Sequence, residues 1–220
     1  MPLTIRQAET NKDRERVFRF RYEIYVEEMQ RPQIYADHAA RTVAEPFDET
    51  GYLFLAEDEA GHIGGTLRTN FGRDTDFGSY RELYGMDCVG RWLPEYVSVS
   101  TKFMVAPQYR KSTLGVRLAA HVYQFGLERG ILFDFIDCNP HLESVFFGLG
   151  WRRYRPRIQH PEYGDVLPLV LPVTDLAHLE AVGSPFARIC REHTPLHAAN
   201  HHLRQTVQRF ANEDFTPQAA

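Results

Sequence analysis

The 220-residue chain is short of several things, and each shortage removes a class of protein. It has no uncharged run near the roughly 18 residues of a membrane-spanning helix. It has no basic excess: 25 Lys and Arg stand against 29 Asp and Glu, a net charge of −4, which argues against a nucleic-acid binder. It has only three cysteines, Cys88, Cys138 and Cys190, with no CxxC pair and no disulfide framework, a usage that fits a reducing, cytoplasmic setting. The ten histidines have no ligand-like spacing to acidic or Cys residues, so no metal is expected. Internal repeats and low-complexity segments are missing, and Met1 to Arg16 is polar and charged, unlike a signal peptide. What remains is ordinary globular composition, 43% apolar and 25% charged.

Periodicity places a short strand at Leu3 to Ala8 and a helix from Asn11 to Met29. Gln30 to Thr50, with Pro32 and Pro46, reads as a long irregular connection. Strands follow at Tyr52 to Glu57 and His62 to Phe71, turning through Asp58 to Gly61. Gly72 to Glu95 reads as loop with a short helix. Val97 to Val105 is a strand, Tyr109 to Arg129 a helix, Ile131 to Asp137 a buried strand, and Pro140 to Leu149 a short helix stopped by Gly150. Trp151 to Arg157 and Val166 to Leu171 are late strands, and Asp175 to Val182 and His197 to Phe210 are helices. The interleaving predicts an α/β (α+β) domain of three layers with a central mixed sheet over residues 1–172. Residues 173–220 are expected to be a C-terminal helical appendage, frayed from Glu213, because so few residues bury little core alone.

Two stretches carry chemistry. In VSVSTKFMVAPQYRKSTLGVR, residues 97–117, a strand runs through a turn into a helix. Free N–H groups and the positive dipole end of such a helix hold phosphate, and Arg110, Lys111, Ser112 and Thr113 add charge and donors there. Small Gly115 permits close approach. Against this stands an ordinary capped helix with basic residues in solvent. The pattern resembles the acyl-carrier-binding loop of the GNAT acyltransferase superfamily, with Thr113 where the family has a middle glycine. The second stretch, Asn139-Pro140-His141-Leu142 on to Gly150-Trp151, is similar to the superfamily's asparagine-to-Gly-aromatic helix; its usual tyrosine falls on Phe146, which has no proton to give.

Phe18 to Glu28, Phe47-Asp48 and Gly64-Gly65-Thr66-Leu67-Arg68 resemble the acyl-homoserine-lactone synthases and the related N-acyl amino acid synthases, and residues 139–142 and 153–164 look closer to the latter. Val99, Thr101 and Lys102 depart from the lactone synthases' acidic, Ser and Arg positions. The resemblance implies direct transfer of a fatty acyl group, with long chains favoured, from a thioester carrier to the amine of an amino acid or related molecule, with no covalently bound cofactor. Such a transfer needs a carboxylate to take the amine proton directly or through water, with Glu45 and Asp48 as candidates beside Arg68 and Ser100; donor contacts are expected at Met104, Val105, Arg110 to Gly115 (including Leu114) and Asn139, and acceptor or acyl contacts at Arg21, Tyr25, His141, Phe103 and Phe146, the last two equally readable as core. Acyl carrier protein is the implied donor, with acyl-coenzyme A open.

On the residues alone, Arg21 shares a helix face with Tyr25 and could fork onto a substrate carboxylate. Arg68 in an uncharged strand needs a carboxylate, and an Arg68–Asp48 pair is expected. Arg152, Arg153, Arg155 and Arg157 put four guanidinium groups into six residues, and alternation would place Arg153, Arg155 and Arg157 on one strand face, for an acidic carrier or coenzyme A or as a solvated edge. Cys138 reads as an apolar filler. Two other readings stay open: an acetyl-coenzyme A dependent N-acetyltransferase of small molecules, and a catalytically silent acyl- or carrier-binding module. The assembly is expected to be a monomer or homodimer.

Overall fold

The computed structural model describes residues 3–193 and 201–212. A mixed sheet of eight strands runs in the order β1-β4-β5-β6-β7-β10-β8, with β9 paired to β10, and helices flank it. The strands are β1 Thr4–Gln7, β4 Tyr52–Glu57, β5 Ile63–Phe71, β6 Val97–Val105, β7 Phe133–Cys138, β8 Arg152–Arg153, β9 Ile158–His160 and β10 Gly164–Pro172. β6 and β7 are parallel; the pairings β1–β4, β4–β5, β7–β10, β10–β8 and β10–β9 are antiparallel. A small hairpin, β2 Ala36–Asp37 with β3 Thr42–Val43, stands apart from this sheet. The chain divides into two compact units, one of Met1–Asn70 with Ser100–Val122, the other of Phe71–Val99 with Tyr123–Ala220; no division falls at 172/173.

In the first unit, cross-strand register sorts the sheet faces. Leu53 opposes Arg68 and Leu55 opposes Thr66, so these four share one face. On that face Leu53 and Leu55 bury against Ala8 and against Val17 of α1, Asn11–Tyr22. Thr10 caps α1 by accepting from the Asp13 amide, and Arg6 bonds the Asp13 carboxylate and holds its pKa well down. Phe54, opposite Leu67, lies on the other face and meets His121 of α3, Leu114–Glu128, with ring centroids 5.5 Å apart. Gly64 and Gly65 permit this packing. A Cβ at Gly65 would stand 2.9 Å from the Met104 carbonyl, and one at Gly64 3.0 Å from the Tyr109 ring.

In the second unit β7 lies between β6, pairing Val97–Val99 with Phe133–Phe135, and a six-residue ladder with β10. Phe133, Phe135, Leu169 and Val170 are fully buried. Described residues after 172 pack into this core. Phe186 of α6, Phe186–Glu192, stacks on Tyr123 at 4.4 Å, and Phe210 of α7, His201–Asn212, meets Phe133 and Tyr154 edge-on.

Several elements differ from the sequence reading for local reasons. The first helix stops at Tyr22 and continues as a π-helix, Glu23–Glu28. The connection 30–50 holds the β2–β3 hairpin and a 3-10 turn, Pro46–Asp48. The long helix starts at Leu114, not Tyr109. Pro107–Tyr109 is a 3-10 turn, and the Ser112 hydroxyl donates to the Tyr109 carbonyl while accepting from the Leu114 amide, diverting the chain from helix. In 140–149 a 3-10 turn, Pro140–Leu142, leads into α4, Glu143–Leu149, and Gly150 caps it at φ 115°. The 151–157 strand shrinks to β8, because Tyr154 turns inward to the Tyr84 carbonyl and Arg155 bonds the Leu83 carbonyl. Helices α2, Ser79–Tyr84, and α5, Leu176–Ala181, fall where short helices were expected, whereas α6 is additional. The expectations for residues 197–200 and 213–220 lie outside the described residues.

Candidate functional site

The first unit contains a buried ionic cluster assembled from four segments. Glu45-Pro46-Phe47-Asp48 folds as a 3-10 turn because proline suits its first position and the two acids form a capping box; the Glu45 amide donates to Asp48 Oδ2 at 2.8 Å. That turn points both carboxylates inward. Asp48 accepts from Arg21 Nη1 on α1 at 2.9 and 2.8 Å and from Arg68 Nη1 on β5 at 3.0 Å. Glu45 pairs with the same Arg68 nitrogen and, at 3.2 Å, with Lys102 Nζ on β6. Arg68 Nε and Nη2 donate to Thr101 Oγ1 at 3.1 and 2.7 Å. Arg14 ties the turn from outside by donating to the Asp48 and Gly51 carbonyls. Gly51 leaves room for Arg68, since a Cβ there would come 2.8 Å from its Cδ. Aromatic rings floor the cations: Phe47 lies 4.8 Å from the Arg68 guanidinium, Phe18 5.4 Å from that of Arg21, and Tyr25 5.2 Å from Lys102 Nζ.

Arg21 is 1% exposed and Arg68 0%, so these charges see little water. Burial alone would push the Asp48 carboxyl up, but the guanidiniums of Arg21 and Arg68 overcome it and hold the pKa at about 2. Glu45 follows the same logic: burial raises its pKa, Arg68 and Lys102 lower it, and the balance is downward. At neutral pH both acids are therefore ionised and committed to two cations each. They orient and balance charge; as direct acceptors of an ammonium proton they are poorly matched. The expected Arg68–Asp48 pair is present, joined by Arg21 and Glu45. Among the described residues Arg21 Nε, buried, has no hydrogen-bond partner.

Sequence reasoning passed over Lys102, Thr101 and Arg14 as site residues. Lys102 is buried and adopts φ 55°, the left-handed region, in mid-strand. Such a conformation costs a non-glycine residue about 1–2 kcal/mol and puts a kink into β6 that turns the lysine toward Glu45. A lysine inside an otherwise uncharged strand was the available signal, of the same kind that singled out Arg68.

The segment after β6 also belongs to the first unit. Arg110, Lys111, Ser112 and Thr113 are exposed, Leu114 is buried, and Arg110 forks onto Glu28 with Nη1–Oε1 2.5 Å and Nη2–Oε2 2.7 Å. Its Nε donates to the Val105 carbonyl at 3.0 Å. Met104 is buried, and Phe103 and Val105 lie 3.6 and 3.5 Å from where a Gly115 side chain would begin, ordinary contact distance. Ser100 is half-buried on β6. In the second unit Asn139 is half-buried ahead of the Pro140–Leu142 turn, His141 is exposed, and Phe146 packs edge-on to Trp151 in the core. Burial pushes the Cys138 thiol up to about 12, which keeps it inert at neutral pH.

The proposed basic face at 152–157 does not form as one surface. β8 is two residues long, Arg152 pairs with Asp175, Arg153 with Glu143 and Arg157 with Asp165, while Arg155 bonds the Leu83 carbonyl. Among the described residues no cluster of His, Cys, Asp or Glu could hold a metal, and no helix is long and apolar enough to cross a membrane.

No protein-family model matches the chain, and no curated protein matches it. Solved structures do. The chain is similar to the CoA-dependent acyl-homoserine lactone synthase BjaI, with TM-score 0.64 and 17% identity over 84% of this chain and 90% of that one. It is similar to the CoA-dependent synthase MesI at 0.61 and 24%, covering 82% and 92%, and to FeeM, an N-acyl amino acid synthase from uncultured soil microbes, at 0.63 and 14%, covering 84% and 97%. The class of structure is thereby defined: this is the GNAT-like fold of those synthases.

Proposed function

We propose that the protein is an N-acyltransferase that moves an acyl group, long-chain rather than acetyl, from a thioester to the amine of an amino acid or similar carboxylate-bearing molecule. The observation that carries this reading is the buried Arg21–Asp48–Arg68–Glu45–Lys102 network, held in a fold like that of acyl-transferring synthases. Its cations, with Arg21 Nε unmet, suit the carboxylate of an acceptor; its two acids fix those cations in place. Aligning amine and thioester is itself worth about 7–11 kcal/mol of barrier. The amine attacks the thioester carbon, the C–S bond breaks, and the proton that the amine loses passes through solvent to the departing thiolate, because both carboxylates, with pKa values held below the usual range, are weak bases. The oxyanion is assigned to backbone N–H groups of β6 around Ser100 and the kink at Lys102.

The donor we favour is acyl-coenzyme A over acyl carrier protein. No continuous basic face forms at 152–157 to greet an acidic carrier, since Arg152 is buried against Asp175 and Arg153 and Arg155 bond Glu143 and the Leu83 carbonyl, while the exposed Arg110 to Thr113 segment before α3 suits a pyrophosphate. Free-thiol release, assayed with acetyl- to long-chain acyl-coenzyme A and acyl carrier protein across an amino acid panel, tests this. Turnover is expected with long-chain acyl-coenzyme A and an amino acid, with an amide product by mass spectrometry. Release with acetyl donors alone would turn the reading to acetyl transfer. Binding without release from any donor would leave only a silent module.

A further inference from the structure

Arg110 is anchored in a way that its donor role does not require. Its guanidinium is forked by Glu28 through two parallel contacts of 2.5 and 2.7 Å, while Nε bonds the Val105 carbonyl. Glu28 is the last residue of the π-helix Glu23–Glu28, whose Tyr25 ring lies 5.2 Å from Lys102 Nζ in the ionic cluster. One six-residue segment thus touches the acceptor cluster through Tyr25 and the donor loop through Glu28. π-helical turns are rare, and they concentrate at functional sites. The clasp itself is in contact with water, its side chains 45% and 31% exposed, so it is weak and sensitive to salt. A phosphate presents to a guanidinium the same forked acceptor geometry as a carboxylate, with more charge.

We propose that Glu28 is a positioning residue: it holds Arg110 as an internal stand-in for the donor's phosphate and yields to that phosphate, so that loading the donor releases the π-helical segment beside the acceptor cluster. This rests on the acyl-transfer reading and extends it, because the two substrate sites become linked through one displaceable carboxylate.

The test uses the full chain and free coenzyme A, and needs no turnover. Glu28→Gln keeps the side chain's shape and removes its charge, and should bind coenzyme A about 3- to 10-fold more tightly by calorimetry. In the unsubstituted protein, saturating coenzyme A should speed amide exchange at residues 24–31. In Glu28→Gln that segment should exchange faster at the outset and respond no further. Glu28→Asp, which restores the charge, should bring coenzyme A affinity back toward that of the parent. A structural role alone would not tighten coenzyme A binding. The proposal is overturned if Glu28→Gln binds coenzyme A no better than the parent, or if coenzyme A leaves exchange at 24–31 unchanged. Tight coenzyme A binding with no thiol release from any acyl donor would instead defeat the acyl-transfer reading and leave the clasp standing.

Discussion

The buried ionic cluster, which we propose for the acceptor, and the Arg110 segment, which we propose for the donor, lie in the same unit and both use arginine–carboxylate pairs, yet they are built in opposite ways. In the cluster, Arg21, Arg68, Glu45 and Asp48 are buried and every acid meets two cations. In the loop, Arg110 and Glu28 meet in solvent as a single fork. A buried pair that loses one member leaves a charge stranded in low dielectric, whereas an exposed pair that does so returns both groups to water. The first arrangement makes the proposed binding groups part of what holds the fold together. The second separates binding from stability, which suits a place where a substrate comes and goes.

Substitution at Arg68 should break that contrast most forcefully. Arg68→Leu takes one of its two cations from each of Glu45 and Asp48 inside the protein and should destabilise the fold by about 3–5 kcal/mol, read by urea unfolding. Asp48→Asn comes next. It should lower kcat through loss of the Arg21 and Arg68 geometry and leave a folded but weaker protein. The pH dependence follows from the direction of the shift. The Asp48 pKa is lowered from 3.8 to about 2 on folding, so its contribution is complete above the ordinary value and is lost as pH falls from about 4 toward 2. The contribution is about 2 kcal/mol. Asp48→Asn should therefore flatten the acid limb of stability in that window. An unchanged acid limb would show that Asp48 is not held down by its two arginines.

The same contrast explains what could be read from the residues. Strands β4 to β7 and the Gly150 cap were legible because short apolar runs bounded by turn residues, and a glycine just beyond a helix, are local signals. The demand of Arg68 for Asp48 was legible because a charge inside an apolar strand must find a partner. Lys102 carried the same signal, but its reach depends on a backbone kink at φ 55°, which no side-chain pattern announces. The π-helix was hidden for a similar reason: α and π turns share their apolar residues and differ by one residue of register. The Arg110–Glu28 clasp joins positions 82 residues apart on an exposed surface, where composition constrains nothing.

Lys102→Met probes the region between these extremes. It keeps an unbranched apolar stem of similar length and removes the charge that faces Glu45 and the Tyr25 ring. Glu45 then loses one of the two cations holding its pKa down, so that pKa should rise. The acceptor's KM should rise by about tenfold, equivalent to 1.4 kcal/mol, with the donor's nearly unchanged. Equal changes in both would place Lys102 outside the acceptor site.

The smallest effect on the fold, and the sharpest separation of function from stability, belongs to Arg110→Ala. The residue is exposed and its partner Glu28 returns to solvent, so the urea midpoint should move by no more than about 0.5 kcal/mol. The donor's KM should nonetheless rise by about tenfold or more, because a phosphate loses its forked partner. Raising salt should weaken donor binding in the parent and do so less in Arg110→Ala, since screening acts only where the charge remains. If acceptor and donor KM rose together, or if the midpoint fell as far as it does for Asp48→Asn, the loop would have to be counted with the cluster as structure, and the division of labour between the two regions would fail.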